Sequence, residues 1–177
     1  SLGFTDKLFE PGAHVCQIIN EDQERMDAMI SFLISGLKDG ERVSCFSERF
    51  PEDGFKASLA EAGMIFDQVC SEQTFIHKKT SEVYFEDGRF DPDRMLNLLK
   101  NYYYETKARN YTNARVIGEM TAEVERVPGG ERLFEYECRV SMLVRKVPVT
   151  AVCQYDAKQF DGATIMDVLK VHPFMII

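Results

Sequence analysis

Five polar side chains in this sequence close or follow short apolar runs, and their types are suited to binding a ligand. They are Asn20, Glu48, Glu119, Thr121 and Tyr155. Amide, hydroxyl and carboxylate groups hydrogen-bond polar ligands, and an acid at the end of an apolar strand is also where nucleotide hydrolases hold Mg²⁺. We predict that these five residues line a ligand-binding site.

The role of Glu119 stays open between a ligand-facing acid and a solvated strand-end charge that caps the next turn. A catalytic role in nucleotide hydrolysis would need a loop for the phosphates. That loop has the pattern GxxxxGK followed by Ser or Thr, because backbone N–H groups and a lysine hold the phosphates. Residues 19–24 read INEDQE, without glycine or lysine. We therefore expect no ATP hydrolysis of the usual kind and no recognisable catalytic residues.

Two histidines and three cysteines have the ligand atoms of a transition-metal site. His14 and His172 each begin a predicted strand, at the amino edge of the sheet, where they either bind a metal together or are held by hydrogen bonds in the interior. Cys16, Cys45 and Cys153 either meet as a soft metal or redox site or are small buried apolar groups. No CxxC or HxxxH pair occurs, so no metal site is predicted from spacing.

Strands and helices that alternate along the chain must position these side chains. Apolar runs predict strands at 14–19, 42–47, about 75–79, 115–120 and 149–155, and a last strand after Pro173. Apolar residues at helical spacing predict helices at about 20–40, 55–62, 91–109 and 130–144, and one after Asp161. The rest of segment 66–90 has no stable period, and its structure is left open.

The helix starts carry their own signals. Asn20 is predicted to cap the first helix, with Gln23 at the capping-box position. Asp91 followed by Pro92 predicts a sharp start for the third helix, and Asp161 predicts a cap for the last.

This alternation predicts an α/β fold: a three-layer sandwich in which helices flank both faces of a mostly parallel sheet. In such sheets ligands bind at the carboxyl ends of the strands, where the five polar side chains are expected. We expect one domain over residues 1–177, with Ser1 and Leu2 as an expression scar and the rest excised from a longer signalling protein.

Composition narrows the functional classes. The 21 basic and 29 acidic residues give a net charge of −8, which repels the phosphate backbone of nucleic acids, so direct nucleic-acid binding is not expected. No apolar run is long enough to cross a bilayer, and the start lacks a signal peptide. The odd number of scattered cysteines predicts reduced thiols. We expect a cytoplasmic domain.

Five motifs together resemble the MEDS sensory domain of methanogen and methylotroph regulators. They are HVCQII at 14–19, FLISGLKDGERV at 32–43, FDPDRML at 90–96, RVIGEM at 115–120 and HPF at 172–174. The resemblance runs over nearly the whole chain. It implies a degenerate RecA/KaiC-like domain that has lost its phosphate-binding loop.

The resemblance also implies a role. Its family members typically sit beside histidine kinase or DNA-binding modules and are thought to sense small hydrocarbon derivatives. Family motif positions fall here on His14, Cys16, Glu119, Tyr155 and His172. The family pattern has an aromatic residue after the Gly-Glu-Met motif, where this chain has Ala-Glu-Val at 122–124, so the ligand and any cofactor stay unknown.

Three hypotheses follow. The first is a non-catalytic sensory input domain whose ligand changes helix packing or a homodimer surface and thereby an attached output module. The second is an enzyme, either nucleotide-binding or dependent on a thiol or metal. The third is a protein-interaction adaptor without a small ligand, which would have an apolar patch but no pocket.

Overall fold

The computed structural model describes all residues, 1–177, and contains one six-stranded sheet. Every neighbouring pair of strands is parallel, and the spatial order is β3-β2-β4-β5-β1-β6. The strands are β1 (His14–Ile19), β2 (Arg42–Phe46), β3 (Phe75–Lys78), β4 (Ala114–Met120), β5 (Val149–Asp156) and β6 (Phe174–Ile176).

Seven α-helices flank the sheet, and they alternate with the strands along most of the chain. The helices are α1 (Asp22–Lys38), α2 (Glu52–Glu61), α3 (Phe66–Ser71), α4 (Thr80–Tyr84), α5 (Pro92–Ala108), α6 (Leu133–Leu143) and α7 (Gly162–Val171). The predicted parallel three-layer fold is therefore confirmed.

Burial explains why the strand predictions succeeded. All residues of β1, β2 and β4 are buried, because helices cover both faces of the central sheet. Strands of this kind are near-continuous apolar runs, and the predicted bounds of these three agree with the structure to within one residue.

The helix starts were predicted with mixed success. The Asp91 carboxylate accepts hydrogen bonds from the backbone N–H groups of Asp93 and Arg94, and Asp161 accepts one from Thr164. The predicted cap by Asn20 is wrong, because α1 begins at Asp22 and its N-cap residue, Glu21, makes no side-chain cap. The open segment 66–90 folds as α3, β3, α4 and a 3₁₀ turn at Glu86–Gly88.

The sheet separates two apolar cores. One core includes apolar residues of α1, α2 and α3, and the other includes those of α4, α5, α6 and α7. Cys45 lies in the first core, where its thiol contacts the Met29 sulfur, whereas Cys16 and Cys153 lie in the second. The interpretation that all three cysteines meet in one site is therefore wrong.

None of the helices combines the length and the apolar character required to cross a lipid bilayer.

Candidate functional site

The carboxyl edge of the sheet carries an ion-pair network centred on Glu119. Glu119 lies near the end of β4, and its carboxylate accepts a hydrogen bond of 2.7 Å from the Ser47 hydroxyl. Arg25 reaches the same oxygen from α1, with 3.5 Å between Nη1 and Oε2. Glu119 and Arg25 are both buried, at 7% and 2% exposure. Glu119 is thus held by protein groups.

Two further charged groups complete this network. Asp22 accepts a hydrogen bond of 2.8 Å from Arg25 Nε, and this bond lowers the pKa of the Asp22 carboxyl. The half-exposed Arg49 lies 3.1 Å from Asp22 and 3.5 Å from Glu119. Two guanidinium groups therefore face two carboxylates, and the charges of the network balance.

The connection between β1 and α1 is only two residues long. Asn20 and Glu21 are both exposed, and Lys158 pairs with Glu21 at 2.7 Å. A phosphate-binding loop needs several consecutive residues whose N–H groups surround the phosphates. This short, acidic connection has neither that length nor that charge.

The five predicted ligand-binding residues do not converge on one site. Glu119 and Tyr155 point to opposite faces of the sheet, because Tyr155 is paired in register with Met120, the residue next to Glu119, and side chains alternate along a strand. Glu48 accepts a hydrogen bond from the Ser81 backbone N–H. The Thr121 hydroxyl is buried without a hydrogen-bond partner.

A second polar cluster, which we call the Glu137 cluster, lies inside the core on the α6 side. Its members are His14, Glu137, Cys153 and His172. Glu137 is 0% exposed, and its Oε2 atom lies 3.3 Å from His14 Nε2, 3.5 Å from His172 Nε2 and 3.7 Å from the Cys153 sulfur. The four ligand atoms all lie within 4.8 Å of one another.

The hydrogen bonds around the Glu137 cluster fix the proton positions on both imidazoles. The Ser141 hydroxyl donates to the Val171 carbonyl, so it must accept from the His14 Nδ1–H at 2.8 Å. The His172 Nδ1–H donates to the Val168 carbonyl at 2.6 Å. A neutral imidazole carries one proton, so each neutral ring presents a bare Nε2 atom to Glu137.

The pKa of Glu137 depends on the protonation of its two histidine neighbours. Burial by itself would raise this pKa, but the positive charges of protonated His172 and His14, with a hydrogen bond from the Tyr155 hydroxyl, outweigh burial and lower it. Burial lowers the pKa of His172. Burial and the nearby Glu137 charge raise the pKa of the Cys16 thiol to about 12, so Cys16 is a protonated thiol.

Sequence analysis singled out both histidines of this cluster and its cysteine, but not Glu137, which lies at its centre. His14 is the first residue of β1 and His172 lies two residues before β6, close to the predicted strand beginnings, and their rings are 4.0 Å apart between centroids. Glu137 was missed, although a signal exists. It falls on the apolar stripe of α6 with Leu133 and Val140, where a charged residue needs buried partners.

An open cleft of about 720 Å³ is a third feature. It lies between α5 and the edge of the sheet formed by β2 and β3. Its lining mixes apolar side chains such as Phe46, Ile76 and Leu98 with polar ones such as Asn97 and Asn101. Its volume is in the usual range for small-molecule sites.

The sequence matches a known family and a characterised repressor. The family model described as MEDS, MEthanogen/methylotroph, DcmR Sensory domain, matches residues 13–173. The chain is 24% identical over 162 residues to the transcriptional repressor DcmR of Methylorubrum extorquens. The match covers 90% of this chain and 57% of that repressor, so the chain spans little more than half of its relative.

Two solved structures have a similar fold. A KaiC-like protein from Pyrococcus horikoshii OT3 gives a TM-score of 0.56 at 18% identity, covering 84% of this chain and 63% of that one. The flagellar accessory protein FlaH from Methanocaldococcus jannaschii gives 0.63 at 8% identity, covering 94% and 70%. At these identities the likeness concerns the fold alone.

Proposed function

The chain belongs to the MEDS sensory-domain family, and from that premise we propose that it is a non-catalytic input domain that binds a small molecule for a prokaryotic signalling protein. The family match over residues 13–173 supports a sensory role in signal transduction. In this proposal the domain works in the cytoplasm, has no catalytic activity and passes the presence of its ligand to an output module.

The observation that supports the absence of catalysis is the ion-pair network that occupies the carboxyl edge of the sheet. In a nucleotide hydrolase of this fold, the phosphates lie between the first strand and the first helix, and an acid such as Glu119 helps to hold Mg²⁺. Here the connection has two residues, and Arg25 and Ser47 already bind Glu119. A nucleotide would have to displace a charge-balanced network.

We place the ligand in the cleft between α5 and the β2–β3 edge. The mixed lining suits a small hydrocarbon derivative that carries one or two polar groups. Ligand contacts there would change how α5 packs on the sheet, and a shift of α5 could alter a homodimer surface or a contact with an attached module. The repressor relative supports a DNA-binding output module, with a histidine kinase as the other candidate.

Thermal unfolding tests this proposal directly. The purified chain is heated with small halogenated, methylated and alcohol compounds, and separately with ATP and Mg²⁺. A ligand at 100 times its Kd stabilises the native state by about 2.7 kcal/mol, a rise of about 5–10 °C in Tm for a chain of this size. We expect such a rise with one of the organic compounds and none with ATP.

Two variants on the same helix locate the ligand. Asn101→Phe places a ring in the cleft and should abolish the rise in Tm, whereas Lys100→Phe adds the same ring at an exposed position of α5 that does not line the cleft. Equal ligand responses in both variants would remove the cleft from the proposal. A rise with ATP would favour a nucleotide-binding enzyme instead.

A further inference from the structure

We propose that His14, Glu137, Cys153 and His172 form a closed binding site for one divalent transition-metal ion, with Zn²⁺ as the best-suited ion. This inference goes beyond the sensory function and does not depend on it. It rests on the spacing of four ligand atoms, on the hydrogen bonds behind them and on the charge of the cluster.

Four of the six distances between the ligand atoms fit a tetrahedral ion, and the other two are at most 4.8 Å. Zinc binds nitrogen and oxygen at about 2.0–2.2 Å and sulfur at about 2.3 Å, so the edges of its tetrahedron measure about 3.3–3.7 Å. The measured edges from Glu137 Oε2 are 3.3 Å to His14, 3.5 Å to His172 and 3.7 Å to Cys153. The edge from Cys153 to His14 Nε2 is 3.5 Å.

The outer hydrogen bonds are those that metal-binding histidines make. Such a histidine donates its remote N–H to a carbonyl, carboxylate or other acceptor, which fixes the tautomer and orients the lone pair. His172 does so to the Val168 carbonyl and His14 to the Ser141 hydroxyl. Tyr155 donates to Glu137 Oε1, which leaves Oε2 for the ion.

A proton alone does not satisfy this cluster. Protonation of His14 would create an ion pair with Glu137 Oε2 at 3.3 Å, and this is the simplest metal-free alternative. That proton would leave His172 Nε2 as it stands, buried and without a hydrogen-bond partner. One cation at the centre engages both imidazoles, the carboxylate and the sulfur together.

Charge and ligand type favour Zn²⁺ over Mg²⁺ or Ca²⁺. A divalent ion with one carboxylate, one thiolate and two neutral imidazoles gives a net charge of zero, which suits a site whose ligands are all buried. Nitrogen and sulfur ligands select zinc and related ions, whereas Mg²⁺ and Ca²⁺ prefer oxygen. Four protein ligands leave no open position for substrate, so the ion would be structural or regulatory.

Cobalt substitution is the decisive experiment. The 177-residue chain is stripped of metal, titrated with Co²⁺ and then with Zn²⁺, and its absorption is recorded. We expect one Co²⁺ per chain, intense visible bands from tetrahedral coordination, and a near-ultraviolet band from thiolate-to-cobalt charge transfer. Zn²⁺ should remove all of these bands. A chain that gives no such bands, and that holds no zinc after purification without chelator, would overturn the proposal.

Matched cysteine variants assign the sulfur ligand. Cys153→Ser should lose the charge-transfer band, whereas Cys45→Ser, which changes a buried thiol on the opposite face of the sheet, should keep it. Retention of the band in Cys153→Ser would contradict the assignment. Circular dichroism checks that both variants fold.

A milder variant covers the case in which ligand replacements fail to fold. Ser141→Ala keeps all four ligands but removes the acceptor behind His14, and changes of that kind cost about 10–100-fold in metal affinity. Competition with a chromogenic chelator should show a loss in that range. Affinity equal to that of the unaltered chain would argue against His14 as a ligand.

Discussion

At the scale of single residues, the ion pair between Arg25 and Glu119 determines what the carboxyl edge of the sheet can do. Both groups have been removed from water, and the desolvation of each is compensated by the other and by Ser47. Removal of one member of a buried pair leaves an uncompensated charge, whereas removal of both is far less costly.

Arg25→Met should therefore destabilise the fold by about 3 kcal/mol, at the low end of such losses because Arg49 and Ser47 still contact Glu119. The double variant Arg25→Met with Glu119→Gln should recover most of this loss. Urea unfolding of the single and double variants measures both quantities. Additive effects of the two changes would show that the groups do not interact.

Asp22, at the same edge of the sheet, makes the stability of the fold depend on pH. The hydrogen bond from Arg25 lowers the pKa of Asp22 below its ordinary value of 3.8, so the folded state binds this proton less readily than the unfolded state. The resulting stability is present above the unfolded pKa and is lost as pH falls through the folded pKa. Asp22→Asn should be less stable than the unaltered chain at pH 7 and should lose less stability from about pH 5 downward. The measurement is the free energy of unfolding of both chains as a function of pH. An equal loss in the two chains below about pH 5 would contradict this prediction.

Single residues also mark the limit of sequence-based prediction for the candidate sites. His14 and His172 were placed at strand beginnings because local patterns define those positions. Their contact with Glu137 depends on long-range packing, because His14 is more than about 120 residues away from both Glu137 and His172 along the chain. No local pattern contains that information. Cys45 was grouped with Cys16 and Cys153 because a fully buried strand does not reveal which face each side chain takes.

At the scale of elements, the loop before α6 is constrained by close backbone contacts. A Cβ atom on Gly130 would lie 1.6 Å from the Val124 carbonyl oxygen, so no side chain fits without movement of the backbone. This contact holds the start of α6, and thereby Glu137, against the preceding turn.

Gly130→Ala and Gly162→Ala form a matched pair that tests this constraint. Gly130→Ala should destabilise the fold by at least about 2 kcal/mol, because the backbone must shift to remove the clash. Gly162→Ala, in the first turn of α7 with no atom within 4 Å of the added Cβ, should stabilise by about 0.4–1 kcal/mol. Thermal unfolding shows whether each variant is more or less stable than the unaltered chain. Unchanged stability in Gly130→Ala would refute the close contact.

Most elements were predictable because burial and capping leave local patterns. The buried strands β1 and β4 and the cap at Asp91 were found from a few adjacent residues. The segment 66–90 was not, because α3 and α4 are only six and five residues long and are too short to establish a period. Their helical state depends on packing against the rest of the chain.

At the scale of the whole molecule, β5 joins two halves of the sheet. On one side it pairs with β1, which pairs with β6, and on the other with β4, which continues to β2 and β3. β1 has no partner other than β5 and β6. The sheet is therefore continuous only when β5 is in place.

A fragment that ends at residue 148 tests this dependence. It keeps β1 to β4 and α1 to α6 but lacks both partners of β1. We expect it to bind a hydrophobic dye and to unfold without a sharp transition, whereas the 177-residue chain unfolds cooperatively. A cooperative transition in the fragment would mean that β2, β3 and β4 form an independent unit.

The same strand order has a consequence during synthesis. β1 leaves the ribosome first, but β5 follows it by well over a hundred residues, and at the usual rate of translation this interval is on the order of ten seconds. Throughout that interval an apolar segment has no strand to pair with. The nascent chain should therefore depend on chaperones more than a protein whose neighbouring strands are made in succession.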